Sequence, residues 1–161
     1  MSSSLPSSNA AFLRRLQEAA REPEPYRAAL GLTIEHFRAE SGTIHLLKQG
    51  ELHLAAHTPM PPAVLDVIRT IPVGKGMAGL ALERKSPVTA CNLQTDTSGD
   101  VRPGARATGL QGSIVVPILR ADQAVGALGI ANRAERTFDE AEVSLLLEAG
   151  RRIADWSDAP G

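Results

Sequence analysis

The residues best equipped for chemistry lie between positions 94 and 112, a stretch with no apolar run. Arg102 and Arg106 stand there among Asp96, Thr97, Ser98 and Asp100. A guanidinium offers a planar fork of donors that fits carboxylates and phosphates. An unpaired guanidinium inside a partly apolar pocket is costly, so it needs an internal carboxylate or an anionic ligand. Asp96 and Asp100 supply the first option. The second predicts a small ligand bearing a carboxylate or similar anionic group. The pocket floor expected beneath the loop is Val88, Ile114 and Val116. The alternative is a solvated loop whose charges cancel.

Cys91 is the chain's one cysteine. A single thiol can attack once, but no second thiol in the chain can resolve the product by disulfide exchange. The expected role is therefore a small core residue in a strand, and no catalytic residue is assigned. Four histidines, His36, His45, His53 and His57, raise metal binding. Strand parity puts His53 and His57 on one face, and a two-residue turn pairs His45 with Leu54 on the other. Two histidines without a matched thiolate or carboxylate make a poor metal site, so no metal is expected and a solvated edge strand accounts for them. Gly74-Lys75-Gly76-Met77-Ala78-Gly79 fits the G-x-G-x-x-G spacing of a dinucleotide loop. The segment before it contains Pro72 and the helix after it is short, so a tight turn into a helix is expected, with Lys75 solvated.

The elements that must position these residues follow from periodicity. Residues 1–8 read as a disordered N-terminus. A helix capped at Ser8 or Asn9 runs to about Arg21, and a second begins at Pro25 and ends near Ala39. Gly42–Lys48 and Glu51–His57 form a hairpin around Gln49-Gly50. Pro61-Pro62 opens a short helix carrying Val64, Leu65 and Ile68. Another carries Met77, Leu80 and Ala81. Pro87–Leu93 reads as a strand, and Gly112–Leu119 with Ala124–Ala131 as a closing hairpin. Pro117 belongs at a bulge or strand end. A capping box, Thr137 to Glu140, starts the last helix, where Leu146, Ala149, Ile153 and Trp156 form a coiled-coil-like seam. The domain then occupies 9–157, with a core of 26–156 and a tail of 158–161.

Ile71-Pro72-Val73-Gly74-Lys75-Gly76, Pro87-Val88, Asn92-Leu93, Ser113 to Ile118, Val125 to Ile130, Asn132 and Phe138, in this order, resemble a GAF domain. Helical flanks extend the resemblance from about Tyr26 to about Trp156. It implies an α+β fold of the profilin and PAS kind. An antiparallel sheet of five to six strands carries the N- and C-terminal helices on one face, with the short helices and long loop on the other. GAF domains bind cyclic nucleotides, bilins, haem, metals, amino acids, small anions or nothing known, so no cofactor is named. Asn92 stands where bilin-binding relatives place a histidine after their cysteine. Asn132-Arg133, Phe138 and Glu142 partly match the cyclic-nucleotide signature, with Arg133 in place of lysine, and are expected to join strand to helix.

The resemblance leaves three functions open. One is a ligand-binding sensor that signals to a separate protein through its terminal helices, with no enzymatic activity. Another is a redox enzyme like the free methionine sulfoxide reductases, a family that uses several cysteines in the loop region. The third is a dimerising interaction module without a ligand. GAF relatives often pair through their helices, so a homodimer is expected. Composition narrows the field. The chain's 161 residues carry 17 basic and 18 acidic side chains, for a net charge of −1. That gives no electrostatic case for nucleic acid or an anionic membrane. Aromatics are 3% of residues, too few for a stacking platform. A lone cysteine and no signal-peptide pattern point to the cytoplasm.

Overall fold

The computed structural model describes residues 4–101 and 108–158. Two helices open the chain, α1 (Ser4–Ala19) and α2 (Pro25–Phe37). The first begins ahead of the cap expected at Ser8 or Asn9. Strands β1 (Ser41–Lys48) and β2 (Glu51–His57) follow, then helix α3 (Pro62–Ile68), strand β3 (Thr70–Pro72) and helix α4 (Gly76–Arg84). Strands β4 (Val88–Ala90), β5 (Gly112–Arg120) and β6 (Gln123–Asn132) lead to helix α5 (Glu140–Ala154). All strand pairs are antiparallel, in one six-stranded sheet of order β3-β2-β1-β6-β5-β4.

Local chemistry explains the turns. Gln49 and Gly50 both have positive φ, +53° and +81°, the backbone that a two-residue hairpin loop demands. Pro25 starts α2 at a position where its missing N–H costs nothing. The box that opens α5 sits two residues later than expected. Asp139 accepts the Glu142 N–H at 2.7 Å, and Glu142 returns a bond to the Asp139 N–H at 3.1 Å. Pro117 lies in β5 just before its bulge at Ile118/Leu119. β4 pairs only as far as Val115, so no ladder bond to β4 is lost at the proline.

The sheet is buried on both faces. On one face α1, α2 and α5 pack against Ile44, Ile114, Val116, Ile118, Leu128 and Ile130. On the other, α4, β4 and the loop residues Leu93 and Val101 pack against Leu52, Val115 and Ala127. The seam expected for pairing is spent inside this core. Leu146, Ala149 and Ile153 are all buried in the single chain, and Trp156 lies against Tyr26, ring centroids 5.8 Å apart. Cys91 is exposed, beyond the end of β4, which corrects its expected place in the core. Among the described residues no helix is long and apolar enough to cross a membrane.

Candidate functional site

β1 is a central strand whose alternate residues Ser41, Thr43 and His45 are polar while Gly42, Ile44 and Leu46 are not. The apolar set meets the helical face. The polar set faces the other way and, with Ser113, Val115, Gly129 and Ala131, forms the floor of a cavity of about 170 Å³. Val64 and Ile68 of α3, Ile71 of β3 and Met77 of α4 wall it in. Leu93, Thr108 and Leu110, from the two ends of the long loop, close one side. Lys75, at the N-cap of α4, stands exposed at its edge.

The glycine turn brings α4 in close. Gly74 (φ +88°) and Gly76 (φ +66°) adopt backbone that other residues avoid. A Cβ on Gly79 would come within 2.5 Å of the Pro72 carbonyl oxygen. The spacing thus serves a tight turn and close helix–strand packing, as the sequence suggests.

The polar groups of the floor are mostly engaged. Ser41 shares a hydrogen bond with Thr58 at 2.8 Å. Ser113 Oγ donates to the Ile130 carbonyl at 3.3 Å. His45 is 2% exposed and its Nε2 lies 2.8 Å from the Ile68 carbonyl. Burial lowers its pKa, with the Ile68 bond opposing and the nearby His53 assisting.

The expected site residues fall into two groups, those the structure describes and those it does not. Arg102 and Arg106 lie outside the described residues. Asp100 accepts two bonds from Arg84, at 3.0 and 3.2 Å, which ties the loop to the end of α4. Asp96 folds back on its own turn, accepting from the Ser98 N–H at 2.9 Å. Val88 is on the cavity side but packs beneath α4 and does not line the cavity. Ile114 and Val116 face the terminal helices; their neighbours Ser113 and Val115 take the floor. A run apolar on both sides carries no alternation to show which residue faces which way.

The histidines also need correction. His45 pairs with Leu54 as expected, yet a bulge follows, because Ile44 pairs with Ala56. The extra residue, Ala55, breaks the parity of β2. His57 therefore lies opposite Thr43, on the cavity side, and His53 opposite Leu46, on the helical side. His45 is buried and central, not part of a solvated edge. The polar alternation Ser41, Thr43, His45 in a strand flanked by apolar hairpins was the available signal for this cavity.

The Asn132 region does join strand to helix. Arg136 donates to Asn132 Oδ1 at 2.8 Å and to Glu142 at 2.7 Å, and its guanidinium lies 4.4 Å from the Phe138 ring centroid. Asn132 in turn donates to the Arg38 carbonyl at 2.9 Å. These bonds lock β6, α2 and α5 together at the sheet's end.

A six-stranded antiparallel sheet with terminal helices behind it and a roofed cavity in front defines a small α+β domain of the GAF class. The GAF domain family profile matches residues 19–155, and the chain belongs to that family. None of the curated proteins matches it in sequence. Among solved structures it is similar to the GAF domain of an Acinetobacter phosphoenolpyruvate-protein phosphotransferase. The TM-score there is 0.77 at 18% identity, covering 94% of this chain and 95% of that one. It is also similar to a free methionine-R-sulfoxide reductase from Neisseria meningitidis in complex with its substrate. That match has a TM-score of 0.74 at 18% identity, over 92% and 87% of the two chains. The reduced form of the Staphylococcus aureus fRMsr gives 0.73 at 20%, over 92% and 94%. The expectation of no enzymatic activity is corrected by these matches: structures of enzymes resemble this chain nearly as closely as a phosphotransferase's GAF domain does.

Proposed function

We propose that this GAF domain binds a small molecule in the cavity between the sheet and α3–α4, and signals through its terminal helices to a separate protein. The observation that carries the reading is the cavity itself, roofed by two short helices and the loop ends, with an apolar wall and a buried histidine on its floor. Sites of this kind, mostly apolar with a few placed polar groups, are where small ligands bind. A route outward is short. Gly42 lines the cavity, and a Cβ added there would lie 2.9 Å from Leu30 Cδ1 of α2. A shift of β1 on binding is therefore felt directly by α2. Pairing with a second copy belongs to the same proposal and would use the outward faces of α1 and α2, since the α5 seam is buried. A native mass spectrum of freshly purified protein tests binding. A co-purified small mass, lost in Ala131→Leu, supports it; an unliganded spectrum and no thermal shift with any small acid or amino acid argues against it.

A second reading uses the same cavity as a substrate site, because the Neisseria reductase holds its substrate on this fold. Turnover of free methionine-R-sulfoxide that disappears in Ala131→Leu would establish it.

A further inference from the structure

His45 leaves a buried acceptor with nothing bonded to it. Its Nε2 is 2.8 Å from the Ile68 carbonyl. A carbonyl only accepts, so Nε2 carries the proton of the neutral ring. Ile68 is the last residue of α3, where helical carbonyls lack partners within the helix. The bond thus caps α3 and fixes the ring's tautomer at once. Nδ1 remains as a lone pair, and it is the one buried side-chain nitrogen or oxygen without a hydrogen bond among the described residues. Such an atom is expensive to leave empty, and in native proteins it normally finds a partner. Ser41 and Ser113, which share the floor, are already engaged with Thr58 and Ile130.

We infer that the cavity selects a compact, largely apolar molecule carrying a hydroxyl or N–H donor, and that His45 Nδ1 is the acceptor that determines this specificity. The inference rests on the reading of the cavity as a ligand site. Size follows from the volume: a cavity of about 150 Å³ holds benzene, and this one measures about 170 Å³. Apolar character follows from Val64, Ile68, Ile71, Met77 and Val115 in its lining. A carboxylate cannot be the group at His45, because it would set lone pairs against a lone pair. An acidic ligand would have to turn its carboxylate toward Lys75 at the edge and its donor inward.

Phenol and fluorobenzene test this, since they match in size and differ in the donor. Both are titrated into protein labelled with nitrogen-15 histidine. The free protein is expected to show the Nε2–H tautomer at His45. Phenol should move the Nδ1 resonance and bind up to about tenfold tighter than fluorobenzene. In His45→Leu that preference should vanish. Should this variant fail to fold, the wild-type tautomer and the wild-type affinity ratio decide alone. An Nδ1–H tautomer, or equal affinity for the two compounds as when a fixed water holds Nδ1, overturns the role of His45 and leaves the cavity reading standing. Failure of both compounds to bind removes the cavity reading, and this inference with it.

Discussion

At the residue scale, His45 links the cavity to pH. Burial holds its pKa below the ordinary 6.5, against the pull of the Ile68 bond. His36, stacked on Phe12 with ring centroids 4.3 Å apart, is shifted the same way by burial. Between those lowered values and pH 6.5 the unfolded chain binds more protons than the folded one. Stability is therefore complete above pH 6.5 and falls as pH drops through the window, by up to about 1.4 kcal/mol per pH unit from His45. Urea unfolding at pH 7.5 and 5.0 measures the fall. It should be shallower in His45→Leu, and an unchanged slope would place the proton uptake elsewhere. Cys91 carries a different expectation from the one its sequence context suggests. It is exposed, and its side chain touches Thr137 Oγ1 only weakly, at 3.8 Å. Cys91→Ala should shift stability by no more than about 0.5 kcal/mol, as surface changes do. A larger loss in a thermal melt would mean that the thiol supports the fold.

At the element scale, the joint between β6 and α5 can be taken apart. Arg136 is one-fifth exposed on its side chain and bonds both Asn132 and Glu142. Arg133 pairs with Glu40 at 3.5 Å with its side chain 82% exposed. Charged hydrogen bonds of the first kind contribute roughly 1.5–3 kcal/mol, exposed pairs of the second under about 1 kcal/mol. Arg136→Ala should therefore cost clearly more than Arg133→Ala in chemical denaturation, and equal costs would contradict the geometry. The neighbouring Asp139→Ala should cost about 1 kcal/mol as a lost helix cap. Much at this scale was legible beforehand, because the signals are local: Gln49-Gly50 for the first hairpin, Pro25 for α2, and the glycine turn before α4. The bulge at Ala55 was not, since an alanine pair inside a strand carries no turn chemistry. The expected floor at Ile114 and Val116 differs from the observed lining for a related reason. Ile114-Val115-Val116 is apolar throughout, so the sequence does not tell floor from core there, whereas the polar alternation of β1 does.

At the scale of the whole molecule, the question is what α5 is for. Its seam at Leu146, Ala149 and Ile153 has the spacing of a pairing helix, and the last helix of a small domain could equally cover its own sheet. The structure gives it the second role. Leu146 is 1% exposed, Ala149 and Ile153 are fully buried, and all three share a cluster with Ile114, Val116 and Ile118 of β5. Gly150 faces β5 as well: a Cβ there would meet the Pro117 carbonyl oxygen at 3.4 Å, an ordinary van der Waals contact. The two roles predict opposite outcomes for Leu146→Asp. A seam between copies would yield a folded monomer. A seam against the sheet puts an unpaired carboxylate into the core, at a cost above roughly 4 kcal/mol, comparable to the entire stability of a small domain. We expect loss of the circular dichroism melt and of native mass by light scattering together. A variant that keeps the wild-type melting temperature while halving its mass would return α5 to the pairing role.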